Sequence, residues 1–194
     1  NIMILKVKFR FNEVPTISDL AEKFCHHSHD FHLKVLDIAK IHSPQHRIAH
    51  ENFKRNLKKP ERNALKFYGH DLSFIDEAIH KGFLTSNQLG NKLLGKFGSG
   101  MYFTTYASES ALHSGGHDRY LLLCEVALGN YWTIHCPMHF LTEQEVNHYG
   151  YDSVFGLRDS QQHGGLVTDH FIVYNRNQAV PLYLITYQKI SNEV

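Results

Sequence analysis

Stretches of period-two alternation and stretches of helical period follow one another along this chain, and their order suggests an architecture. Ser18-Asp19 before Leu20-Ala21, with Glu22 in the first turn, predicts a helix running towards a histidine cluster. Leu33 to Ile41 is apolar and β-branched enough for a strand, although Leu36, Asp37 and Ile38 blur its alternation. Ser43-Pro44 predicts a helix entry, a hydroxyl cap followed by proline at the first helical position, with the helix continuing to about Leu57. Ala64 to Gly69 reads as a short strand ending in a tight turn. Ser73 is the expected cap of a helix through Ile75, Ala78 and Ile79, ended by Gly82. Leu84 to Phe97 is polar, holds Gly90 and Gly95, and reads as a surface loop.

Tyr102-Phe103 reads as a short strand and Ala107 to His113 as a helix. Leu121 to Leu128 reads as a buried strand turned by Gly129-Asn130, and His135 to Tyr149 as irregular. His170 to Tyr174 is a strand, Asn175 to Asn177 a turn, and Pro181 to Lys189 a last long strand. Helices gather early and strands late, the α+β pattern rather than βαβ alternation. The Gly98-Ser99-Gly100 piece therefore lacks the strand-to-helix context of a dinucleotide fingerprint.

Composition narrows the function classes. The 194 residues are 42% hydrophobic and 20% charged, ordinary for one compact domain. A formal net charge of +1 does not announce a nucleic-acid binder. Lys54, Arg55, Lys58 and Lys59 are read as a solvated helix end whose cations complement the dipole, in preference to a nucleic-acid contact. No apolar run approaches the ~20 residues of a membrane span. The start Asn1 to Leu5 is not read as a signal peptide, and a chain beginning with Asn reads as an excerpt of a longer one. Cys25, Cys124 and Cys136 are too few and too widely spaced for a disulfide framework, and Cys124 lies in an apolar run, so a reducing, intracellular setting is expected. Of sixteen histidines, His26, His27, His29 and His32 cluster. No Cys-x-x-Cys or His-Glu-x-x-His spacing accompanies them, so no metal site is expected there.

The chemistry concentrates in Gly98 to Phe103 and Ala107 to Ala111. Two glycines permit close backbone approach, an aromatic strand follows, and a small hydroxyl-bearing segment comes next. Together they suit a flat polar ring held by backbone, an aromatic face and a Ser hydroxyl.

From Leu33 to the C-terminus the chain resembles the catalytic domains of the poly(ADP-ribose) polymerase family, the diphtheria-toxin-like ADP-ribosyltransferases. The resemblance is carried by Ile38 to Phe53 with Ser43-Pro44, by Phe67-Tyr68-Gly69 with Ile75 to Phe83, and by Gly98 to Phe103 with Ser108 to Ala111. Leu121 to Gly129 and His170 to Tyr187 complete it, and Tyr183 to Gln188 is similar to the tankyrase branch. It implies an α+β fold of two packed, mainly antiparallel sheets with flanking helices over residues 33–194, with residues 1–32 as an N-terminal extension. It also implies NAD as substrate, and transfer of ADP-ribose with loss of nicotinamide.

In that family a His, a Tyr and a Glu carry the reaction. The corresponding positions here are Tyr68, Tyr102 and His170, so the Tyr alone is retained. A second ring-stacking Tyr is replaced by His113. By resemblance Gly69 holds the nicotinamide carboxamide through its backbone, and Ser110 adds a hydroxyl. From the residues alone Gly69 is equally a turn glycine and Ser110 a helix-start hydroxyl. A carboxylate aimed at developing positive charge is worth about 3–4 kcal/mol; His170 supplies none. The zinc-finger antiviral branch, which also resembles this chain in having Tyr at the first position, is regarded as inactive. Two substitutes stay open: His70 for the lost His if the strand shifts, and Asp169 for the lost Glu if a bulge turns it inward.

The expected function is a catalytically impaired pseudoenzyme serving as a module for protein partners, with any nucleic-acid contact made by other domains of a longer protein. A mono-ADP-ribosyltransferase acting on a protein or nucleic-acid acceptor is the alternative, and a non-catalytic NAD or ADP-ribose reader the third.

Overall fold

A computed structural model describes residues 3–5, 21, 25–84, 95–114, 119–158 and 168–192. Its elements are β1 (Met3–Leu5), β2 (Phe31–His42), α1 (Pro44–Arg55), β3 (Asn63–Gly69), α2 (Leu72–His80), β4 (Met101–Thr104) and α3 (Ala107–Leu112). Next come β5 (Arg119–Ala127), β6 (Tyr131–Ile134), α4 (Glu143–His148), β7 (Ser153–Gly156), β8 (His170–Val173), a 3-10 turn (Arg176–Gln178) and β9 (Ala179–Ser191).

The strands hydrogen-bond in the order β1-β2-β9-β5-β3-β4-β8-β7-β6. Every pairing is antiparallel except β6 with β7. The expected two sheets are visible as two halves joined at one pair, Phe67 of β3 with Thr104 of β4. They fold onto one another around an apolar core. Tyr68, Leu122, Cys124 and Val126 come from one half and Met101, Phe103 and Val173 from the other. Ile75, Ala78 and Ile79 of α2, with Phe83 just beyond it, close that core. A second cluster forms where α3 buries Ala107 and Ala111 against Phe67, Leu121 and Leu123.

The blurred alternation of β2 has a geometric cause. Its register with β9 shifts between Val35 and Asp37, and the skipped Leu36 is 57% exposed. A second shift pairs Leu123 with Tyr183 but Cys124 with Pro181, which fits a proline that cannot donate to the ladder. Segment 1–32 contributes to the domain: β1 pairs with the end of β2, β2 itself starts at Phe31, and Ala21 is fully buried in the α3 cluster. The rest of the helix expected from Ser18 lies outside the described residues.

Pro44 opens α1 as expected, but Ser43 makes no side-chain cap bond. The basic end of α1 is not wholly solvated, because Lys54 Nζ bonds Glu125 Oε1 at 2.9 Å. The cap of α2 is Asp71 rather than Ser73, and Gly82 beyond its end has φ +86°. The segment His135 to Tyr149, expected to be irregular, contains α4, begun by a reciprocal capping box between Thr142 and Glu145. The short parallel pair β6 and β7 also went unforeseen. Of the expected surface loop Leu84 to Phe97, residues 85–94 lie outside the description. Phe97 is buried, against Ile172, Tyr174 and Leu141, because its apolar ring belongs to the core and not to the loop. Among the described residues no helix is long and apolar enough to cross a membrane.

Candidate functional site

Helix α3 is six residues long, and Ala107 to Ala111 are all buried. Small side chains let its backbone lie directly on the sheet. The contact is closest at Gly69, where a Cβ would stand 1.9 Å from the Ser110 carbonyl oxygen and 2.9 Å from Leu121 Cδ2. Gly69 is therefore demanded by close approach of a helix, not merely by a turn. The strands beneath bring two further residues to the same place, since Thr104 of β4 pairs with His170 of β8.

Thr104 Oγ1 donates to the Tyr106 carbonyl at 2.6 Å, and the Ser110 hydroxyl lies 2.9 Å from Thr104 Oγ1. Thr104's proton is thus committed, so Ser110 donates to it and keeps its own lone pairs free. Ser108, fully buried, accepts from the His26 backbone N–H and contacts His29 Nδ1, both at 2.8 Å. This links the histidine cluster to α3.

Between Ser108 and Ser110 stands Glu109, 6% exposed. Its Oε1 lies 3.8 Å from His170 Nε2 and its Oε2 lies 3.2 Å from His29 Nε2. His170 is 3% exposed and its Nδ1 sits 2.9 Å from the Thr168 carbonyl. A carbonyl only accepts, so a proton is on Nδ1, and Nε2 faces Glu109. Burial lowers the His170 pKa, opposed by the Thr168 hydrogen bond and the Glu109 charge. A ligating nitrogen of His113, an exposed residue ending α3, lies within 4.8 Å of both His170 and Glu109.

Tyr102 walls this site, its ring meeting His170 edge-on at 6.3 Å between centroids. Its hydroxyl accepts from the Phe97 N–H at 2.8 Å and donates to the Gly98 carbonyl at 3.1 Å. Burial raises its pKa. The two glycines before it do permit close approach, but what approaches is protein. A Cβ on Gly98 (φ +75°) would strike the Leu141 carbonyl, and one on Gly100 would strike Ile172.

The structure thus gathers Gly69, Tyr102, Ser110, His113 and His170, and sets Tyr68 apart. Alternation along β3 turns Phe67 towards α3 and Tyr68 to the opposite face. There the Tyr68 ring meets Phe83 edge-on at 5.1 Å and Phe103 at 5.4 Å, and burial raises its pKa. The two substitutes left open by the sequence each have a polar partner of their own. His70 lies on the Tyr68 side, packs on Phe74, and accepts the Asp71 N–H through Nδ1. Asp169 Oδ1 accepts the Arg158 N–H at 2.8 Å.

Sequence reasoning missed Glu109, His29 and Thr104 as members of this site. A signal for Glu109 existed. It lies inside Ala-Ser-Glu-Ser-Ala, a run with no apolar stripe and small residues on every side, as expected of a helix buried all round.

The family profile described as the poly(ADP-ribose) polymerase catalytic domain matches residues 12–189. Over 109 residues, 52% of this chain, the sequence is 36% identical to the human protein mono-ADP-ribosyltransferase PARP4, of which the match covers 6%.

Proposed function

Because this chain belongs to the poly(ADP-ribose) polymerase catalytic-domain family, we propose that it is a catalytically impaired member acting as an interaction module for a protein partner. The observation that carries this reading is the place of Tyr68. Its ring lies in the apolar core between Phe83 and Phe103, where the resemblance calls for a His presented to the adenosine ribose of NAD. The substitution of a carboxylate by His170 points the same way, since an imidazole supplies no negative charge to a sugar cation. The retained Gly69, Tyr102 and Ser110 fit a nicotinamide ring, so the ring half of a dinucleotide site is kept while its ribose half is altered.

One observation favours the alternative, an active mono-ADP-ribosyltransferase using NAD. Glu109 returns a carboxylate to the neighbourhood of His170 from a different element. The test is a thermal-shift titration with NAD and with 3-aminobenzamide, run beside an automodification assay. A ligand at 100 times its Kd stabilises by about 2.7 kcal/mol. No shift with NAD at millimolar concentration is the expected result, while 3-aminobenzamide reports on the ring half alone. A shift with automodification overturns the impaired reading in favour of transfer. A shift without it converts the domain to a reader of NAD or ADP-ribose.

A further inference from the structure

Glu109 is a buried carboxylate whose ion-pair partners among the described residues are imidazoles, His29 and His170. Its side chain is 9% exposed and that of His29 is 7%. Although they are 3.2 Å apart, both Glu109 Oε2 and His29 Nε2 lack a hydrogen bond. A buried carboxylate oxygen without a hydrogen bond is costly, and folded proteins seldom leave one without a compensating partner.

The donors around it match a metal ion in number and kind. Ligating atoms of Glu109, His113 and His170 all lie within 4.8 Å of one another. Bonds of about 2.0–2.2 Å in a tetrahedral zinc site place neighbouring donors roughly 3.3–3.5 Å apart. Glu109 Oε1 and His170 Nε2, at 3.8 Å, need close only slightly to reach that spacing. His170 is held as metal-ligating histidines are held, its Nδ1–H on a backbone carbonyl and its Nε2 turned to the carboxylate. A second cluster of donors among the described residues, His50, Glu51 and Glu125, differs in a telling way. It already contains a cation, Lys54 Nζ, 2.9 Å from Glu125 and 3.4 Å from Glu51.

We propose that Glu109, His113 and His170 form a binding site for a divalent transition-metal ion of the zinc class, with His29 against the second carboxylate oxygen. Two imidazoles and one carboxylate suit zinc, and they disfavour magnesium or calcium, which take oxygen ligands. The set leaves a fourth position for water or a small anion, as three-ligand zinc sites do. This goes beyond the impaired-transferase reading and departs from the expectation of no metal. The site lies against Tyr102, so an ion there occupies ground next to the nicotinamide wall.

The test uses the 194-residue chain stripped with a chelator. Zinc is titrated in competition with a chromophoric chelator, and cobalt(II) is followed by its visible absorption. The expected result is one saturable equivalent with a tetrahedral cobalt spectrum. Glu109→Gln and His113→Ala each weaken zinc by at least about 10-fold, the lower end of what even outer-shell losses cost. His113 is exposed, so that variant keeps its fold, as its unfolding midpoint without metal will show. His32→Ala, whose ring contacts Asn192, leaves affinity unchanged. Absence of saturable binding, or unaltered affinity in Glu109→Gln or His113→Ala, overturns the proposal. Neither readout involves NAD, so the result is independent of the transferase question.

Discussion

Replacing Gly69 by Ala adds one methyl group at the tightest contact between α3 and the sheet. An ordinary carbon-to-oxygen contact is about 3.3–3.6 Å. The added Cβ would start 1.9 Å from the Ser110 carbonyl oxygen and 2.6 Å from its carbon. The obstructing atoms are helix backbone, which no rotamer change can move. Relief requires α3 to retreat by more than 1 Å, roughly the difference between those spacings, and Ala107 and Ala111 would then lose contact with Phe67 and Leu121. Overpacking of this kind costs about 1–3 kcal/mol. The sign is what makes the experiment sharp. At an unobstructed site with negative φ, Gly→Ala stabilises by about 0.4–1 kcal/mol through the unfolded chain. The net expectation is a loss of about 1 kcal/mol, which lowers Tm by roughly 2–4 °C in a domain of this size. Urea unfolding should show a lower midpoint at unchanged slope. An unchanged or raised midpoint would refute the close approach of α3 and leave Gly69 as a turn residue.

Stability should fall as pH drops below 6.5. Burial lowers the pKa of His50 despite its Asn177 carbonyl bond and the Glu125 charge, and burial together with Arg176 lowers that of His46. The unfolded chain therefore binds these protons first, so the stability present above pH 6.5 is lost on acidification. Urea midpoints between pH 5 and 8 check this, and His50→Gln should flatten the slope; a midpoint flat across that range contradicts it. Thr142→Ala should cost about 1 kcal/mol by removing the α4 capping box. Pairing it with Glu145→Ala should give less than the sum, because the two bonds are reciprocal. Additive losses in that pair would mean the box does not act as a unit.

The long strands and both longer helices were legible because local and global signals agree in them. Pro44 opens α1, Gly82 follows α2, and the apolar run in β5 is buried on both faces. Misreadings arose where an element is too short for a period to show. Strands β6 and β7 have four residues each, and their parallel pairing carries no hairpin turn to announce it. Helix α4 was legible in principle, since Thr142-Glu143-Gln144-Glu145 is a capping-box sequence. Its six residues hold one buried apolar side chain, Val146, so the periodicity that normally confirms a helix is absent. Phe97 was misplaced for the opposite reason. The polarity of its neighbours in sequence hid a ring whose partners, Leu141, Ile172 and Tyr174, come from distant segments.

The candidate site fails to read from sequence in a more specific way. The resemblance directs attention to positions 68, 102 and 170, where this sequence has Tyr, Tyr and His. A site's charge depends on which groups share a space, however, not on which position in a motif holds them. Helix α3 is short and made of small residues, so it lies close enough to carry the Glu109 carboxylate to within 3.8 Å of His170. The negative charge thus sits on a helix, and the Nε2 of His170 faces it from a strand. A pair so arranged is not a lone carboxylate. It presents a nitrogen and an oxygen donor converging on one point, with His113 as a third. A negative charge beside His170 and a donor set of metal-binding type are thus two consequences of one close approach of α3 to β8.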